Sequence, residues 1–199
     1  MGARKGLPQA PVFVGERVVD ERYARFGKKI VEFDYRMSNG KVLPFLCAVN
    51  PGADPIIIFA VTDDGNVFLV NQFRHATKEF VLELPGGNLK SGHSWEDASW
   101  EDAAKAELLE ELGVVASELK VIGERMPFNP AFETACFRAV LATGCKVIGD
   151  QDLDDTEVMT VRKIPIGKFR EMLKNGTVTD AKTVAIGYLA LDHLGLLLG

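Results

Sequence analysis

The chain has 199 residues, 47% of them apolar, and a formal net charge of −5. That is enough for one substantial domain with its own core, or a domain plus a small appendage, and it excludes a disordered chain. The acidic balance argues against a general nucleic-acid binder, which needs a basic surface. An acidic protein can still bind anionic phosphates where a cation neutralises them.

The first fifty residues read as β-structure. "VFVGERVVD", "KKIVEFDYRM" and "KVLPFLCAV" combine alternation with β-branched and aromatic residues. Ser38-Asn39-Gly40, between the second and third, is a hairpin signal because Asn-Gly tolerates positive φ. "PIIIFAV" (residues 55–61) is a short continuous apolar run, the pattern of a strand buried on both faces. A turn at Asp63-Asp64-Gly65-Asn66 leads to a strand over 67–73, and a further strand over 80–87 ends on Pro85-Gly86-Gly87. A helix is expected over 103–112, with Ala104, Leu108 and Leu112 in step and Gly113 as its C-terminal cap. "ELKVIGERM", "TACFRAVLAT" and "EVMTVRKIP" read as strands. Helices over 166–174 and from Asp180 to about Leu198 close the chain, the last ending in a buried apolar segment. The expected fold is an α/β/α sandwich with a mixed sheet, preceded by a small N-terminal β-hairpin region. Residues 1–50 would be that region and 51–199 the main domain.

Cys47, Cys136 and Cys145 are scattered and show no C-x-x-C spacing, which suits a reducing cytoplasm rather than a disulfide or zinc framework. Arg4 and Lys5 are not followed by the apolar run of a secretion signal, and the apolar C-terminus is interrupted by Asp192 and His193. A cytoplasmic protein without membrane or nucleic-acid partners is expected.

Chemistry concentrates between Gly87 and Gly113. Glu107, Glu110 and Glu111 stand three and four residues apart, near one face of the expected helix. They repel one another and sit toward the helix C-terminus, where the macrodipole disfavours anions. A solvated acidic face is one explanation. A bound divalent cation is the other, and it accounts for the clustering at the wrong end of the dipole. Hard Mg²⁺ prefers oxygen ligands and is commonly held by a few carboxylates plus substrate phosphates.

Within this stretch Ser-Trp-Glu-Asp-Ala is written twice, at 94–98 and 99–103. With one copy removed, the stretch resembles the signature of the Nudix hydrolases, G-x5-E-x7-R-E-U-x-E-E-x-G-U, where U is bulky and apolar. Gly87 takes the first glycine position, Glu107-Leu108-Leu109-Glu110-Glu111 the acidic core, and Gly113-Val114 the end. Two positions depart. His93 (counted back from the helix, Ala98) stands at the first Glu, and Ala106 at the Arg. In the family this pair resembles a brace between loop and helix; here both partners are replaced together, so no buried charge is left alone. Five residues added inside a rigid helix would turn everything upstream by roughly 140° and shift it by about 7.5 Å. The slack must therefore lie between Gly87 and the helix, and the three glutamates keep their register. Ser94 with Asp97 and Ser99 with Asp102 are alternative N-cap pairs. Of Trp95 and Trp100, which would point away from each other on one helix, Trp100 is expected to be the buried one.

The resemblance extends beyond the box. "VNQFRHATKEFVLELPGG", Pro130 sixteen residues past Val114, and "KNGTVTDAKTVAIGYLAL" look like the ADP-ribose and nucleoside diphosphate sugar pyrophosphatases of this family. What the resemblance implies is Mg²⁺-dependent hydrolysis of a diphosphate bond, with Mn²⁺ as an alternative ion. The metal positions carry over to Glu107, Glu111 and the backbone carbonyl near Gly86, with Glu110 accessory. The base that takes a proton from the attacking water falls in "GDQDLDDTEV", with Glu157 ahead of Asp155. Arg74 and Glu83 are expected to contact substrate or metal, and Phe33 and Tyr35 to stack on a nucleobase. A homodimer with exchanged N-terminal strands is implied as well. Two rival readings are a non-catalytic nucleotide-binding domain, suggested by the altered box, and an enzyme for damaged nucleoside triphosphates.

Overall fold

The computed structural model describes residues 8–22, 24, 28–50, 54–89, 99–154 and 157–197. The chain divides into two compact units, Met1–Gly52 with Pro127–Ala135, and Ala53–Met126 with Cys136–Gly199.

The first unit is built on an antiparallel sheet of β1 (Val12–Asp20), β2 (Lys29–Arg36) and β3 (Val42–Val49), in that order. The Ser38-Asn39-Gly40 turn forms as expected, with the work divided between two residues. Gly40 takes the positive φ (+82°), and the Asn39 side chain accepts the Lys41 amide at 3.0 Å. The segment from Pro127 to Ala135 runs beside the end of β3, where Ala48 exchanges backbone bonds with Phe132 and Thr134. One face gathers rings, with Phe13 edge-on to Phe33 and Tyr35, and Tyr35 edge-on to Phe45. Val12, Phe13, Val18, Phe45 and Leu46 are nonetheless exposed in the single chain.

The second unit contains β4 (Ile56–Val61), β5 (Asn66–Arg74), β6 (Glu79–Glu83), α1 (Trp100–Leu112), β7 (Val114–Val115), β8 (Glu118–Pro127), β9 (Cys136–Thr143), β10 (Lys146–Val147), β11 (Met159–Pro165), α2 (Ile166–Lys174) and α3 (Ala181–His193). Its main sheet runs β11-β5-β4-β9-β8, with β6 also paired to β5. β4 is parallel to β9 and antiparallel to β5, so the sheet is mixed. Every residue of β4 is buried, as the unbroken apolar run predicts. Alternate side chains serve opposite layers. Ile56, Ile58 and Ala60 join Trp100, Ala104 and Leu108 of α1 in one core cluster. Phe59 points the other way and meets the ring of Phe169 on α2 at 5.7 Å. Gly187 lets α3 come close: a Cβ there would lie about 3 Å from Phe169 and Leu173. Helices thus cover both faces, which is the expected sandwich. Each large side chain buried this way contributes about 1.5–3 kcal/mol.

Several boundaries differ from the sequence expectation. α1 begins at Trp100, three residues early, because Trp100 and Ala103 are both buried against the sheet and extend the packed stripe. Ser99 is its N-cap, but through its carbonyl, which accepts the Asp102 and Ala103 amides; its side chain makes no capping bond. β6 stops at Glu83 rather than 87, since Pro85 has no amide for a ladder. α3 ends at His193, not near Leu198, and the described residues beyond Leu191 are largely exposed instead of buried. Polar Asp192 and His193, followed by left-handed Gly195, end the helix there. The ladder between β7 and β10 is two residues long, too short for any periodicity to announce it.

Candidate active site

α1 presents one continuous stripe to the interior: Trp100, Ala103, Ala104, Glu107, Leu108, Glu111 and Leu112. Spacings of three and four residues make this the core-facing side of the helix. Two of its positions are glutamates, and both are buried, Glu107 at 9% and Glu111 at 3% exposure. Buried carboxylates are costly unless something compensates them. Burial, reinforced by the negative charges of Glu107 and Glu157, pushes the Glu111 carboxyl up to about 8, against the pull of the Gly86 amide and Arg74. Glu110, on the half-exposed flank, is less enclosed than its two neighbours.

The strand end after β6 faces these carboxylates. The Gly86 amide donates to Glu111 Oε2 at 2.8 Å. A Cβ on Gly87 would meet the Glu107 carboxylate, so a side chain there would displace that carboxylate. Gly86 has φ +154° and lies against the Ile56 backbone, where only glycine fits. Pro85 and Gly87 are themselves fastened to β4, their carbonyls accepting the Ile58 and Ile56 amides at 2.8 and 2.9 Å.

The acidic loop after β10 is bound to the C-terminal end of α1, whose last carbonyls lack helical partners. Ile148 and Gly149 donate to the Gly113 carbonyl, Asp152 donates to that of Glu110, and Gln151 Nε2 donates to that of Glu111 at 2.7 Å. Gly113, left-handed at φ +64°, caps the helix as expected. This docking brings Glu157 within electrostatic reach of Glu111, and the Glu157 and Asp154 backbones are bonded together at 2.9 Å. Asp155, the other candidate base, lies outside the described residues, as do His93, Trp95 and the first copy of the repeat. Trp100 is buried in the core.

Arg74 grips Glu83 with two bonds, Nε to Oε1 at 2.6 Å and Nη2 to Oε2 at 2.7 Å. Glu83 is 2% exposed and also receives Lys182 Nζ at 3.3 Å. Arg74 and Glu83 border an open cleft of about 420 Å³ that Thr77, Glu79, Asp180 and Lys182 help to line. Phe33 and Tyr35 belong to the first unit, within its ring cluster. The structure therefore assembles Glu107, Glu111, Gly86, Glu83, Arg74 and Glu157 within the second unit. Sequence reasoning missed Gln151, Asp180, Lys182 and Thr183. For two of them a signal existed: Asp180 and Thr183 have the three-residue spacing of an N-cap pair.

Among the described residues no three His, Cys, Asp or Glu side chains form a ready-made metal cluster. Glu107 and Glu111 nevertheless fit a hard cation, since both are buried oxygen donors on one face of the helix, and burial disfavours the ionised form of Glu111 without one. Backbone and substrate oxygens would complete such a coordination sphere.

The NUDIX domain model matches residues 53–185. The chain belongs to the Nudix family. This Nudix chain is 30% identical over 173 residues to the ADP-ribose pyrophosphatase of Bacillus subtilis (strain 168), covering 84% of this chain and 89% of that protein. It is also 30% identical over 160 residues to the ADP-ribose pyrophosphatase of Mycobacterium tuberculosis (strain ATCC 25618 / H37Rv), covering 78% and 72%. A solved structure, "Crystal structure of ADP compounds hydrolase", superposes with a TM-score of 0.76 at 19% identity over 94% of this chain and 97% of that one. At that identity the likeness concerns the fold, and it confirms the Nudix sandwich.

Proposed function

We propose that the chain is a Nudix pyrophosphohydrolase that cleaves the diphosphate bond of ADP-ribose or a related nucleoside diphosphate sugar, with Mg²⁺, giving a nucleoside monophosphate and a sugar phosphate. The observation that carries this reading is the pair of buried glutamates on the core-facing stripe of α1, set against a strand end where Gly86 admits no side chain. The two pyrophosphatase relatives support the substrate class. Glu107 and Glu111 would hold the metal with the backbone at Gly86, and Mn²⁺ would fit the same oxygen donors. When bound, the ions supply charge neutralisation on the diphosphate and acidify water. Glu157 would receive the proton of the attacking water, being the described carboxylate of the loop that reaches Glu111 electrostatically. Asp155 is the alternative. Arg74, already oriented by Glu83, would face the substrate with its remaining donors.

We further propose that residues 1–50 form a dimerisation region, in which a second copy covers the apolar side chains of β1 and β3 that a single chain leaves in water. Two of the three free cysteines are buried, and no described helix is long and apolar enough to cross a membrane. Free thiols fit a reducing cytoplasm.

The test is a panel of ADP-ribose, nucleoside diphosphate sugars and nucleoside triphosphates, with Mg²⁺ and an added phosphatase, read as released phosphate. ADP-ribose or a nucleoside diphosphate sugar should be the best substrate. Nucleotide binding without turnover of any substrate would replace this reading with the binding-module one.

A further inference from the structure

The backbone from Leu84 to Gly87 is held on two sides. Toward α1 and β4 it is fixed by the Gly86, Pro85 and Gly87 bonds described above. Toward the last helix it meets the tetrapeptide Asp180-Ala181-Lys182-Thr183. The Thr183 side chain is fully buried, and its hydroxyl uses both capacities: it accepts the Leu84 amide at 2.9 Å and donates to Asp180 Oδ2 at 2.8 Å. The same Asp180 oxygen accepts the Thr183 amide at 2.9 Å and so caps α3. Lys182 Nζ bonds the other Asp180 oxygen at 2.7 Å and reaches Glu83 at 3.3 Å.

Capping α3 needs only the Asp180 carboxylate and the Thr183 amide. The bond from Leu84 to the Thr183 hydroxyl and the ion pair of Lys182 with Glu83 add nothing to the cap. Both end on consecutive residues of the strand end, Glu83 and Leu84, one residue (Pro85) before the glycines that face Glu107 and Glu111. Residues behind metal-holding groups commonly set their orientation.

We propose that Asp180, Lys182 and Thr183 form a positioning clip. Thr183 sets the Leu84 backbone, Lys182 sets the Glu83 carboxylate, and together they fix where the Gly86 backbone stands against the carboxylates of α1. The three act through Glu83 and the backbone from Leu84 to Gly86, and so are positioning residues. The proposal rests on the reading of Gly86, Glu107 and Glu111 as the metal site.

The test compares the parent with Thr183→Val, which keeps the shape and removes the acceptor of the Leu84 amide, and with Thr183→Ser, which restores it. Three quantities are read: residue-resolved amide hydrogen exchange without metal, Mn²⁺ binding to the protein alone, and steady-state hydrolysis. In Thr183→Val the Leu84 and Gly86 amides should exchange about tenfold faster or more, while Val140 of β9 and Leu108 of α1 exchange as in the parent. Mn²⁺ affinity and kcat should each fall by about ten- to a hundredfold, with KM for substrate little changed, and Thr183→Ser should recover all of these. Parent-like exchange at Gly86 in a folded Thr183→Val protein would overturn the clip. So would faster exchange spread evenly over β4, β9 and α1, which would mean a general loss of stability. If Thr183→Val does not fold, Lys182→Met with Lys182→Arg as its rescue answers the same question, read through Mn²⁺ affinity and the Gly86 amide. If the parent hydrolyses no nucleoside diphosphate compound, the functional reading fails, and the exchange pattern alone then supports or overturns the clip.

Discussion

At Glu111 the cost of burial and the use of the residue are the same fact. A carboxyl pushed up to about 8 is ionised at neutral pH only in part, and a divalent cation would complete the ionisation. Its folded-state value lies above the ordinary carboxylate range. Its contribution to stability is therefore fully present below about pH 4.5 and is lost as pH rises through about 8. The metal-free protein should thus lose thermal stability between about pH 5 and 8, and Glu111→Gln should flatten that loss. Mg²⁺ should restore the parent at pH 8 and leave the variant unchanged. Melting curves with chelator or Mg²⁺ across this range check the expectation; a parent whose pH dependence matches that of Glu111→Gln would refute it. The variant should fold and have no measurable turnover. Glu157→Gln should behave differently. It lies in the loop, not in the helix stripe, so nucleotide affinity should hold while kcat falls by about a hundredfold or more. Equilibrium binding and steady-state rates on the same preparation separate the two effects, and retained kcat would move the base to Asp155.

Among the elements, α1 explains why a five-residue repeat beside the acidic core is tolerable. The helix starts at Trp100, inside the second copy, and its buried stripe runs unbroken from there to Leu112. Trp100 is fixed in the core, Glu107 and Glu111 lie downstream, and the strand end at Gly86 and Gly87 is anchored independently by β4. Residues 94–98 lie outside the described residues, but both ends of the connection that contains them are held. Deleting 94–98 should therefore give a protein that folds and hydrolyses the parent's substrate at a comparable rate. Thermal melting and steady-state kinetics of the deletion test this. A well-folded deletion without activity would show that the repeat belongs to the site.

For the whole molecule, the open question of the first unit is its apolar surface. Phe13, Val18, Phe45 and Leu46 are each between 44% and 52% exposed. A sheet edge and face of this kind invite pairing with another chain. The protein should sediment as a homodimer at micromolar concentration, and a charged substitution such as Leu46→Glu should shift it toward monomer. Sedimentation of the parent as a fully active monomer would reject the dimer.

Local patterns were enough to determine most of the elements and the acidic register. The continuous apolar run of β4, the Gly113 cap and the spacing of Glu107 and Glu111 are properties of short stretches, and backbone geometry converts them directly into strand, helix end and shared face. Gly86 was singled out through the family resemblance, as a carbonyl near the metal; the structure adds that its amide donates to Glu111 Oε2. What only the tertiary structure decided is which acids are buried and what supports them. Glu110 and Glu111 are neighbours in sequence, yet one is half-exposed and the other enclosed, because the sheet covers one side of α1 alone. Lys182 and Thr183 reach Glu83 and Leu84 across 99 residues of chain. No periodicity encodes that meeting; it exists because α3 packs on the sheet layer that carries β6 and ends its first turn at the strand end.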